Sequence, residues 1–524
     1  MAVIPITIRH AGKKYQVDVD LDEPGEVLKY QLFSLTGVDP DRQKILVKGG
    51  QLTNDANLNL LGLKPNQSLM MMGTVGDLPK EPVSKTTFVE DLTDRQLAQT
   101  LKTPIGITNL GNTCYLNSTL QGLRLIPELY DELDRYQPNQ FSAGRPDLAK
   151  SLRDLYRDMR SQTSAYYPFS FLQTLRAVFP QFAEQAEGRY KQQDAEEAWS
   201  QILSVVNLAL SGQTNSADPA GANTSSFADK FIAGSYATEM KAPGLPDEPV
   251  VQGQDRFLKL DCHISLDTNH LSDGLKSSLT ETIEKRAATT NADTQFTLSK
   301  KISRLPKYLT VHFVRFYWRR DTGKKSKILR KVTFPFELDV TDLCTDELKT
   351  KLVVVRDKVR ELRKAKEEKI RAVKRARTVL DNDASSSSSA ATLSSVPDDA
   401  QIAALEAEAL AAVDPALRAD VGANVSGLYE LVGVVSHQGK SADSGHYQFW
   451  AKQTAKEAED NAAGGNIKSG SGPVLGTTQQ KQEPKWWRFN DDKVTVVDQS
   501  KIEAMAGGGE SDSALLLLYK SVDI

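Results

Sequence analysis

One of the three cysteines in this 524-residue chain stands where a thiol could act as a nucleophile. Cys114 lies in the run GITNLGNTCYLNSTLQ, in which Gly111 and Asn112 indicate a loop and apolar residues then recur at helical spacing. Thr113 is a candidate N-cap, so Cys114 is expected in the first turn of a helix. The dipole at a helix N-terminus stabilises a thiolate, the form of cysteine that attacks carbonyl carbon. A buried structural cysteine is the alternative, because free cysteines are usually buried.

A histidine that could serve as the base follows much later in the chain. The run YELVGVVSHQGKSADSGHYQFWAK predicts a strand, a Gly- and Ser-rich loop over 436–445, and a second strand that opens at His446. A neutral imidazole there can take the proton of a thiol and return it to a leaving amine. His437, in the same predicted loop, competes for this role.

A third polar group follows the aromatic run KWW and precedes a predicted strand. In KWWRFNDDKVTVV, one of Asn490, Asp491 and Asp492 could accept the imidazole N–H and fix its tautomer. Taken alone, this run is an ordinary polar turn before a strand. A cysteine at a helix start, a histidine after a loop and an Asn or Asp at a strand start, in that order, form the hypothesis of a cysteine hydrolase.

With the run GRYKQQDAEEAW, these segments strongly resemble the sequence boxes of the ubiquitin-specific protease family. The resemblance covers nearly all of the chain after residue 104. It implies a papain-like hydrolase core with an inserted β-rich lobe that holds ubiquitin. It also implies the activity, which is hydrolysis of isopeptide or peptide bonds at the C-terminal glycine of ubiquitin.

The family pattern implies a role for each residue that matches it. Cys114 would be the nucleophile and His446 the general base and then acid. Asn490 would orient the imidazole, and Asp491, one position further on, would share or assist in that task. Asn109 would donate its side-chain amide to the oxyanion of the tetrahedral intermediate.

The KQQDAEE run is assigned only through the resemblance. Gln193 and Asp194 would grip the extended tail of ubiquitin, which would lie there as an added strand. The residue types by themselves predict no more than the start of an amphipathic helix.

Many members of the family carry a CxxC…CxxC zinc finger in the ubiquitin-holding lobe, and this chain cannot form one. Cys262 and Cys344 are isolated in the sequence, and His263 and His270 lack partner cysteines. We expect these four residues to be structural or on the surface, and we expect no metal and no cofactor.

The fold class expected for the whole chain is α+β, with two folded domains. Residues 3–75 predict two strands, a helix and further strands, and the unit resembles a ubiquitin-like β-grasp domain. It is expected to be an integral domain, because the chain continues past it without a Gly-Gly pair. Residues 76–103 are polar and predict a linker. The protease domain is expected over 104–522.

Two segments are predicted to interrupt the protease domain. Residues 351–425 combine a basic helical pattern, a run of serines and an Ala-rich helix, which predicts a partly helical and partly disordered insertion. Residues 453–484 are rich in Gly, Ser, Gln and Lys and predict a flexible surface loop.

The apolar patch by which ubiquitin binds its partners aligns with Leu46 and Met72, with His10 near the third position. Ile45 and Val47 alternate with Leu46 and can supply the buried face of the strand, so we expect Leu46 to be exposed. The alternative is that both apolar residues face the core. The domain combination resembles proteasome-associated ubiquitin-specific proteases, which implies docking of the N-terminal domain on the 26S proteasome regulatory particle.

Two polar loops, 319–327 and 436–445, could gate the active site because small polar segments are mobile. By the resemblance, basal activity would be low and would rise when the protein docks. A regulatory binding protein whose contacts matter more than cleavage is an alternative function. A protease for a different ubiquitin-like modifier is another.

Composition excludes several other classes of function. The 65 Lys and Arg residues are balanced by 68 Asp and Glu residues, so no broad basic field indicates nucleic-acid binding. No apolar run reaches the length of about 18 residues that a membrane helix needs, and the first residues do not read as a secretory signal. Three cysteines indicate a reducing compartment. We expect a cytoplasmic and nuclear protein that is a monomer off the proteasome.

Overall fold

The structure is a computed structural model of the whole chain. It describes residues 3–74, 103–138, 147–211, 226–319, 324–382, 397–441, 444–454, 457 and 484–524. The chain divides into two compact units, residues 1–91 and 92–524. The predicted linker at 76–103 and the loop predicted at 453–484 lie almost entirely outside the described residues.

The first unit is a five-stranded sheet with one helix packed across it, which confirms the β-grasp prediction. Helix α1 spans Gly25–Thr36, and Gly37 ends it in the left-handed conformation, φ 70°, that glycine adopts without strain. Leu28 and Leu32 of the helix pack into one apolar core with residues of the sheet such as Ile45. The strand order is β2-β1-β5-β3-β4, with β1 Val3–His10, β2 Lys13–Asp20, β3 Lys44–Val47, β4 Gly50–Gln51 and β5 Gln67–Met72.

The second unit begins with a helical half. Its apolar side chains form a large buried cluster that includes Leu116, Leu120, Trp199 and Ile202. The helices are α2 Cys114–Leu123, α3 Pro127–Arg135, α4 Leu148–Ser161, α5 Phe169–Val178, α6 Ala195–Ser211 and α7 Phe227–Phe231. A two-stranded hairpin, β6 Gln185–Ala186 and β7 Arg189–Tyr190, precedes α6.

A large sheet packs against this helical half and carries the other part of the candidate site. Its order is β10-β13-β21-β17-β18-β19-β20, with β16 paired to β17. The strands are β10 Leu260–His263, β13 Tyr308–Val314, β16 Glu337–Asp339, β17 Leu428–Ser441, β18 Ser444–Lys452, β19 Lys485–Asn490, β20 Lys493–Asp498 and β21 Ser513–Ser521. Short helices lie beside it, α8 Leu271–Ser278 and α12 Gln499–Glu503.

A separate four-stranded sheet forms the β-rich lobe that the sequence predicts. Its order is β11-β12-β8-β9, with β8 Gly234–Lys241, β9 Val251–Phe257, β11 Thr280–Arg286 and β12 Asp293–Arg304. At its tip, Ala242, Ala287 and Phe296 form a small core. The carboxylate of Glu248 accepts hydrogen bonds from the backbone of Ala288 and from both the backbone and hydroxyl of Thr289 at 2.6–2.9 Å. A carboxylate therefore joins the two β-turn segments of this tip.

The insertion expected to start at residue 351 is part of a longer helix that is built into the domain. Helix α9 spans Asp346–Asn382, and α10 Asp399–Ala411 and α11 Pro415–Ala419 follow it. Leu348 and Leu352 are buried in the core of the large sheet. Val355 and Val359 form a second buried cluster with residues that follow α10 and with β17. The first turns of the insertion are therefore structural, while residues 383–396, where disorder was predicted, lie outside the described residues.

The predicted loop over 436–445 is mostly strand, so that prediction was wrong. Strand β17 continues to Ser441 and β18 starts at Ser444, and Gln438 pairs with His446. Backbone hydrogen bonds between the two strands stabilise the hairpin although its side chains are small and polar. Gly439 and Gly445 have φ values of 123° and 135°, which few other residues adopt, and the register shifts between Gln438 and Ser441.

The other predicted gating loop, 319–327, belongs to a hairpin formed by β14 Phe316–Arg319 and β15 Lys324–Lys327. Residues 320–323 lie outside the described part of the chain. No helix among the described residues has the length and apolar character to cross a membrane.

Candidate active site

Cys114 is the first residue of α2, as predicted, and its side chain is buried. Thr113 does not cap the helix with its side chain, because its hydroxyl accepts a hydrogen bond from the backbone of Leu110 at 2.9 Å instead. Burial raises the pKa of the Cys114 thiol to about 11, and the negative charge of Asp491 also raises it, whereas hydrogen bonding to the Tyr447 backbone lowers it. Burial outweighs the hydrogen bonds from the backbone, so the thiol is protonated at neutral pH.

His446 lies on β18, directly before Tyr447, and its imidazole is hydrogen-bonded to the last residue of β19. Its Nε2 is 2.6 Å from Oδ1 of Asn490. An amide oxygen can only accept, so Nε2 carries the hydrogen and donates it, which leaves the lone pair on Nδ1. Nδ1 is therefore the nitrogen that can accept a proton from a thiol.

His437, the competing histidine, lies within the sheet and is fully buried. The rings of Phe316 and Tyr447 pack against it edge-on, with centroid distances of 5.3 and 4.6 Å. Burial, together with the nearby charges of Lys327 and His446, lowers the pKa of His437 to about 3. Its environment favours a permanently neutral imidazole, and the geometry favours His446 as the base.

Asp491 occupies the turn between β19 and β20 and connects it to the segment around Cys114. Its two carboxylate oxygens accept hydrogen bonds from the amides of Asn117 at 2.8 Å and of Asn109 at 3.0 Å. The nearer oxygen is 4.0 Å from Nε2 of His446, so the contact with the imidazole is weaker than that of Asn490. A side chain at Gly106 would lie 2.5 Å from the Asp491 carbonyl oxygen, which explains the glycine.

Asn109 is exposed and held firmly from both ends of its amide. Its oxygen accepts hydrogen bonds from the backbone of Gly111 at 2.9 Å and of Thr113 at 3.2 Å. Its Nδ2 donates one hydrogen to Asp491 and has a second. That second hydrogen is the group available to an oxyanion.

Asn117 is a site residue that the sequence reasoning missed. It lies on α2 within one turn of Cys114, is buried, and donates from Nδ2 to the Ile107 carbonyl at 3.1 Å as well as to Asp491. The helix also carries the polar residues Ser118, Thr119 and Gln121, so Asn117 does not stand out in the sequence. Asn112 was also missed, and its amide donates to the Tyr190 carbonyl at 2.9 Å, which links the nucleophile loop to β7.

Gln193 and Asp194 stand directly before α6. Nε2 of Gln193 donates to the Gln181 carbonyl at 3.0 Å, and Oδ1 of Asp194 accepts from the backbone of Glu196 at 2.8 Å. These contacts fix the start of α6. The Ala195 carbonyl that begins α6 accepts from the hydroxyl of Thr119 on α2 at 3.1 Å, so the predicted tail-binding residues adjoin the nucleophile helix.

In the N-terminal unit, Leu46, Met70 and Met72 lie on the outer side of the sheet, with exposed fractions of 46%, 54% and 47%. We call these three residues the sheet face. Met70 pairs directly with Leu46 and was not singled out from the sequence. Ile45, the residue before Leu46 on β3, is buried. Nδ1 of His10 is 3.2 Å from the Met71 carbonyl oxygen.

Cys262 and Cys344 are both buried and not in disulfides. Among the described residues, no three or more His, Cys, Asp or Glu side chains are grouped so that they could hold a metal ion.

The Cys114 thiol at a helix start is hydrogen-bonded to the backbone of Tyr447, and the preceding residue, His446, has its imidazole oriented by the amide of Asn490. This arrangement defines the class of this protein as a cysteine hydrolase. Residues 105–519 match the family model described as ubiquitin carboxyl-terminal hydrolase, and residues 6–76 match the ubiquitin family. The chain therefore belongs to the ubiquitin carboxyl-terminal hydrolase family. It is a thiol-dependent, ubiquitin-specific deubiquitinase with an N-terminal ubiquitin-like domain.

Two relatives that match almost the whole of this chain support this assignment. The chain is 44% identical over 530 residues to ubiquitin carboxyl-terminal hydrolase 6 of Schizosaccharomyces pombe, with 100% of each chain covered. It is 34% identical over 530 residues to ubiquitin carboxyl-terminal hydrolase 7 of Arabidopsis thaliana, with 99% of each covered. A solved structure of the SAGA Ubp8/Sgf11/Sus1/Sgf73 DUB module bound to ubiquitin aldehyde is 18% identical, with a TM-score of 0.47, 80% of this chain covered and 70% of that chain.

Proposed function

We propose that this deubiquitinase acts at the proteasome, where it removes ubiquitin from substrates bound to the regulatory particle and so recycles it. The observation that carries the proposal is the sheet face on a unit of the ubiquitin family, in the same chain as a ubiquitin hydrolase. Contiguous apolar side chains exposed on a small domain often mark a binding site. The sheet face would dock the enzyme, and the catalytic unit would bind ubiquitin.

In the proposed mechanism, Nδ1 of His446 accepts the proton of the Cys114 thiol, and the thiolate attacks the carbonyl carbon of the terminal glycine of ubiquitin. The tetrahedral intermediate collapses to an acyl-thioester, and the imidazolium gives its proton to the departing amine. His446 then takes a proton from water, which attacks the thioester and releases ubiquitin with a free carboxylate. Asn490 keeps the imidazole in the tautomer that the cycle requires.

The remaining predicted residues bind the substrate and its transition state. Asn109 would donate its second amide hydrogen to the oxyanion, and loss of one such donor typically lowers kcat about 10²–10³-fold. Gln193 and Asp194 would hold the tail of ubiquitin as an added strand next to α2.

Low basal activity is part of the proposal. The Cys114 thiol is buried and protonated. The hairpin of β14 and β15 is attached to β17, the strand that pairs with the strand of His446. Lys327 at the end of β15 is buried, and its ammonium donates to the carbonyl of His437 on β17 at 2.6 Å. Docking on the proteasome would shift the balance toward an open site with an accessible thiol.

The compartments that we propose are the cytoplasm and the nucleus. All three cysteines are buried and unpaired, which suits a reducing environment. Fractionation of cells should place the protein with proteasomes in both compartments, and enrichment in a secretory compartment would contradict this.

A fluorogenic ubiquitin C-terminal amide tests the function directly. Wild type and Cys114→Ala would be assayed with and without purified proteasome that lacks its own copy of this enzyme. We expect hydrolysis that requires Cys114 and rises steeply with proteasome. Equal turnover with and without proteasome would overturn the gated, docked enzyme. An inactive wild type, with Cys114→Ala still altering degradation by the proteasome, would favour a regulatory binding protein.

A tail probe from a different ubiquitin-like modifier provides the specificity control. Faster reaction of Cys114 with that probe than with the ubiquitin probe would overturn ubiquitin as the substrate.

A further inference from the structure

Helix α1 carries apolar side chains on the side that faces away from its own sheet. Val27, Tyr30 and Phe33 follow one another at three-residue spacing, with exposed fractions of 37%, 56% and 43%. Leu28 and Leu32 supply the buried side of the helix. The outer side of a helix on a small domain is ordinarily polar, so two exposed aromatic rings there are unexplained by folding. We call Val27, Tyr30 and Phe33 the α1 face.

Acidic side chains border the α1 face at both ends of the helix. Three exposed acids precede or begin α1 and two follow it, namely Asp22, Glu23, Glu26, Asp39 and Asp41. The helix itself offers no exposed cation, because its single basic residue, Lys29, is buried and donates to Oδ1 of Asn54 at 2.7 Å. With the half-buried Arg42 beside Asp41 counted, the acids still outnumber the cations next to each end of the helix, so both ends keep negative charge.

The sheet face of the same unit has the opposite charge around it. Arg9 pairs with Met70 and Lys44 pairs with Met72, and both cations are exposed. Lys48 is exposed two residues after Leu46. A partner complementary to the basic sheet face is not complementary to the acidic α1 face, so the two faces select different partners.

We propose that the α1 face is a second docking surface of the N-terminal unit, and that it binds a protein segment with an apolar stripe between Lys or Arg side chains. The aromatic rings provide the kind of anchor that dominates binding energy at interfaces. The acids at the two ends attract and orient a segment that has cations at both ends of the stripe. A helix of twelve residues is about 18 Å long, so the cations should lie about 18 Å apart.

A pair of designed peptides tests this proposal on the full-length protein. The basic probe is a fluorescent 18-residue helical peptide with Leu and Phe on one face and Lys clusters twelve positions apart. The acidic probe has Glu in place of every Lys. We expect the basic probe to bind at least about tenfold more tightly than the acidic one in anisotropy titrations at 50 mM salt.

Three variants locate the binding site. Phe33→Ser should weaken binding of the basic probe about tenfold or more. Gln31→Ser, an exposed change on the same helix outside the α1 face, should leave it unchanged. Leu46→Ser on the sheet face should also leave it unchanged. Hydrolysis of a ubiquitin amide and thermal unfolding would show that each variant is folded.

Several results would overturn the proposal. Equal affinity for the two probes would remove the charge argument, and equal binding by Phe33→Ser would remove the site. Self-association of wild type that Phe33→Ser abolishes would assign the face to a second copy of the chain. Binding that appears only after residues 75–102 are replaced by a Gly-Ser linker would assign it to the chain's own segment.

Discussion

Two adjacent residues at the end of β19 have different tasks at the proposed site. Asn490 contacts the imidazole directly, through a 2.6 Å hydrogen bond to Nε2 of His446. Asp491 instead joins the turn to Asn109 and Asn117, which belong to the segment of the nucleophile. Orientation of the base therefore depends on the amide, and assembly of the site depends on the carboxylate.

Separate substitutions should distinguish these two tasks. Asn490→Ala should lower kcat/KM for a ubiquitin amide about 10²–10⁴-fold with no change in the free energy of unfolding, because only the imidazole loses a partner. Asp491→Ala should also lower activity, and it should destabilise the fold by about 1–3 kcal/mol because the buried amide of Asn117 loses its acceptor. Activity assays and urea unfolding measure both quantities. Full activity of Asn490→Ala, with Asp491→Ala inactive at unchanged stability, would reverse the assignment.

The resting state of Cys114 gives a prediction about pH. Burial raises the pKa of the thiol to about 11, so at pH 7 the reactive thiolate is a minor species. The rate of alkylation by iodoacetamide should therefore rise about tenfold for each pH unit between pH 7 and 10. Burial raises the pKa of Cys262 and Cys344 to about 12, so both should react more slowly than Cys114. Mass spectrometry of the Cys114→Ser variant measures this background alkylation and is the control. A rate that is constant from pH 6 to 9 would indicate a preformed thiolate and contradict the prediction.

The sequence was sufficient to identify the catalytic residues that stand in recognisable local motifs. It was insufficient to predict the contacts between motifs that are distant in the chain. Cys114 and His446 each stand in a pattern that shows its helix or strand. Asn117 was missed because its importance lies in a hydrogen bond to a residue 374 positions away, which no local pattern encodes. Its partner Asp491 was identified only as a candidate partner of the imidazole, for the same reason.

The tip of the four-stranded lobe illustrates how one element is held without a metal-binding motif. Glu248 accepts three hydrogen bonds from Ala288 and Thr289, and these bonds lower the pKa of its carboxyl. Glu248→Ala should speed hydrogen exchange of the amides of Ala288 and Thr289 by at least about tenfold, because both lose their acceptor. Asp247→Ala, an exposed change next to it, is the matched control. Unchanged exchange in Glu248→Ala would mean that the apolar core of the tip holds the turn alone.

The secondary structure could be predicted where the periodicity of side chains determines it. The prediction was wrong where backbone pairing determines the structure. The helix and strands of the N-terminal unit follow from alternating and helical spacing of Ile, Val and Leu residues. The polar run 436–445 showed no such spacing, yet it forms a hairpin because its backbone groups pair with each other. The insertion was predicted to start at residue 351, whereas the helix that carries its first residues, α9, begins at Asp346 and buries Leu348 and Leu352 in the core.

At the scale of the whole molecule, docking and catalysis should be separable. Leu46→Ser should leave hydrolysis of a ubiquitin amide by the isolated enzyme unchanged, because the substitution lies in the N-terminal unit. The proposed activation by proteasome should require about tenfold more proteasome to reach half its maximum. Thr7→Ser, a half-buried change on β1 outside the sheet face, serves as the control. Loss of basal activity in Leu46→Ser, or unaltered activation, would contradict a docking role for the sheet face.

The order of strands in the large sheet has a consequence for how the enzyme is made. Strand β21, residues 513–521, lies in the interior of the large sheet. The carboxylate of Asp491 accepts a hydrogen bond from Asn109, which is translated some 380 residues earlier. At about 5–20 residues per second, roughly 20–80 s separate the emergence of Cys114 from that of β21. During that interval the nascent chain has a nucleophile but no assembled site. A product truncated before β18 lacks His446 and Asn490, so we expect it to be unable to hydrolyse ubiquitin conjugates although it contains Cys114.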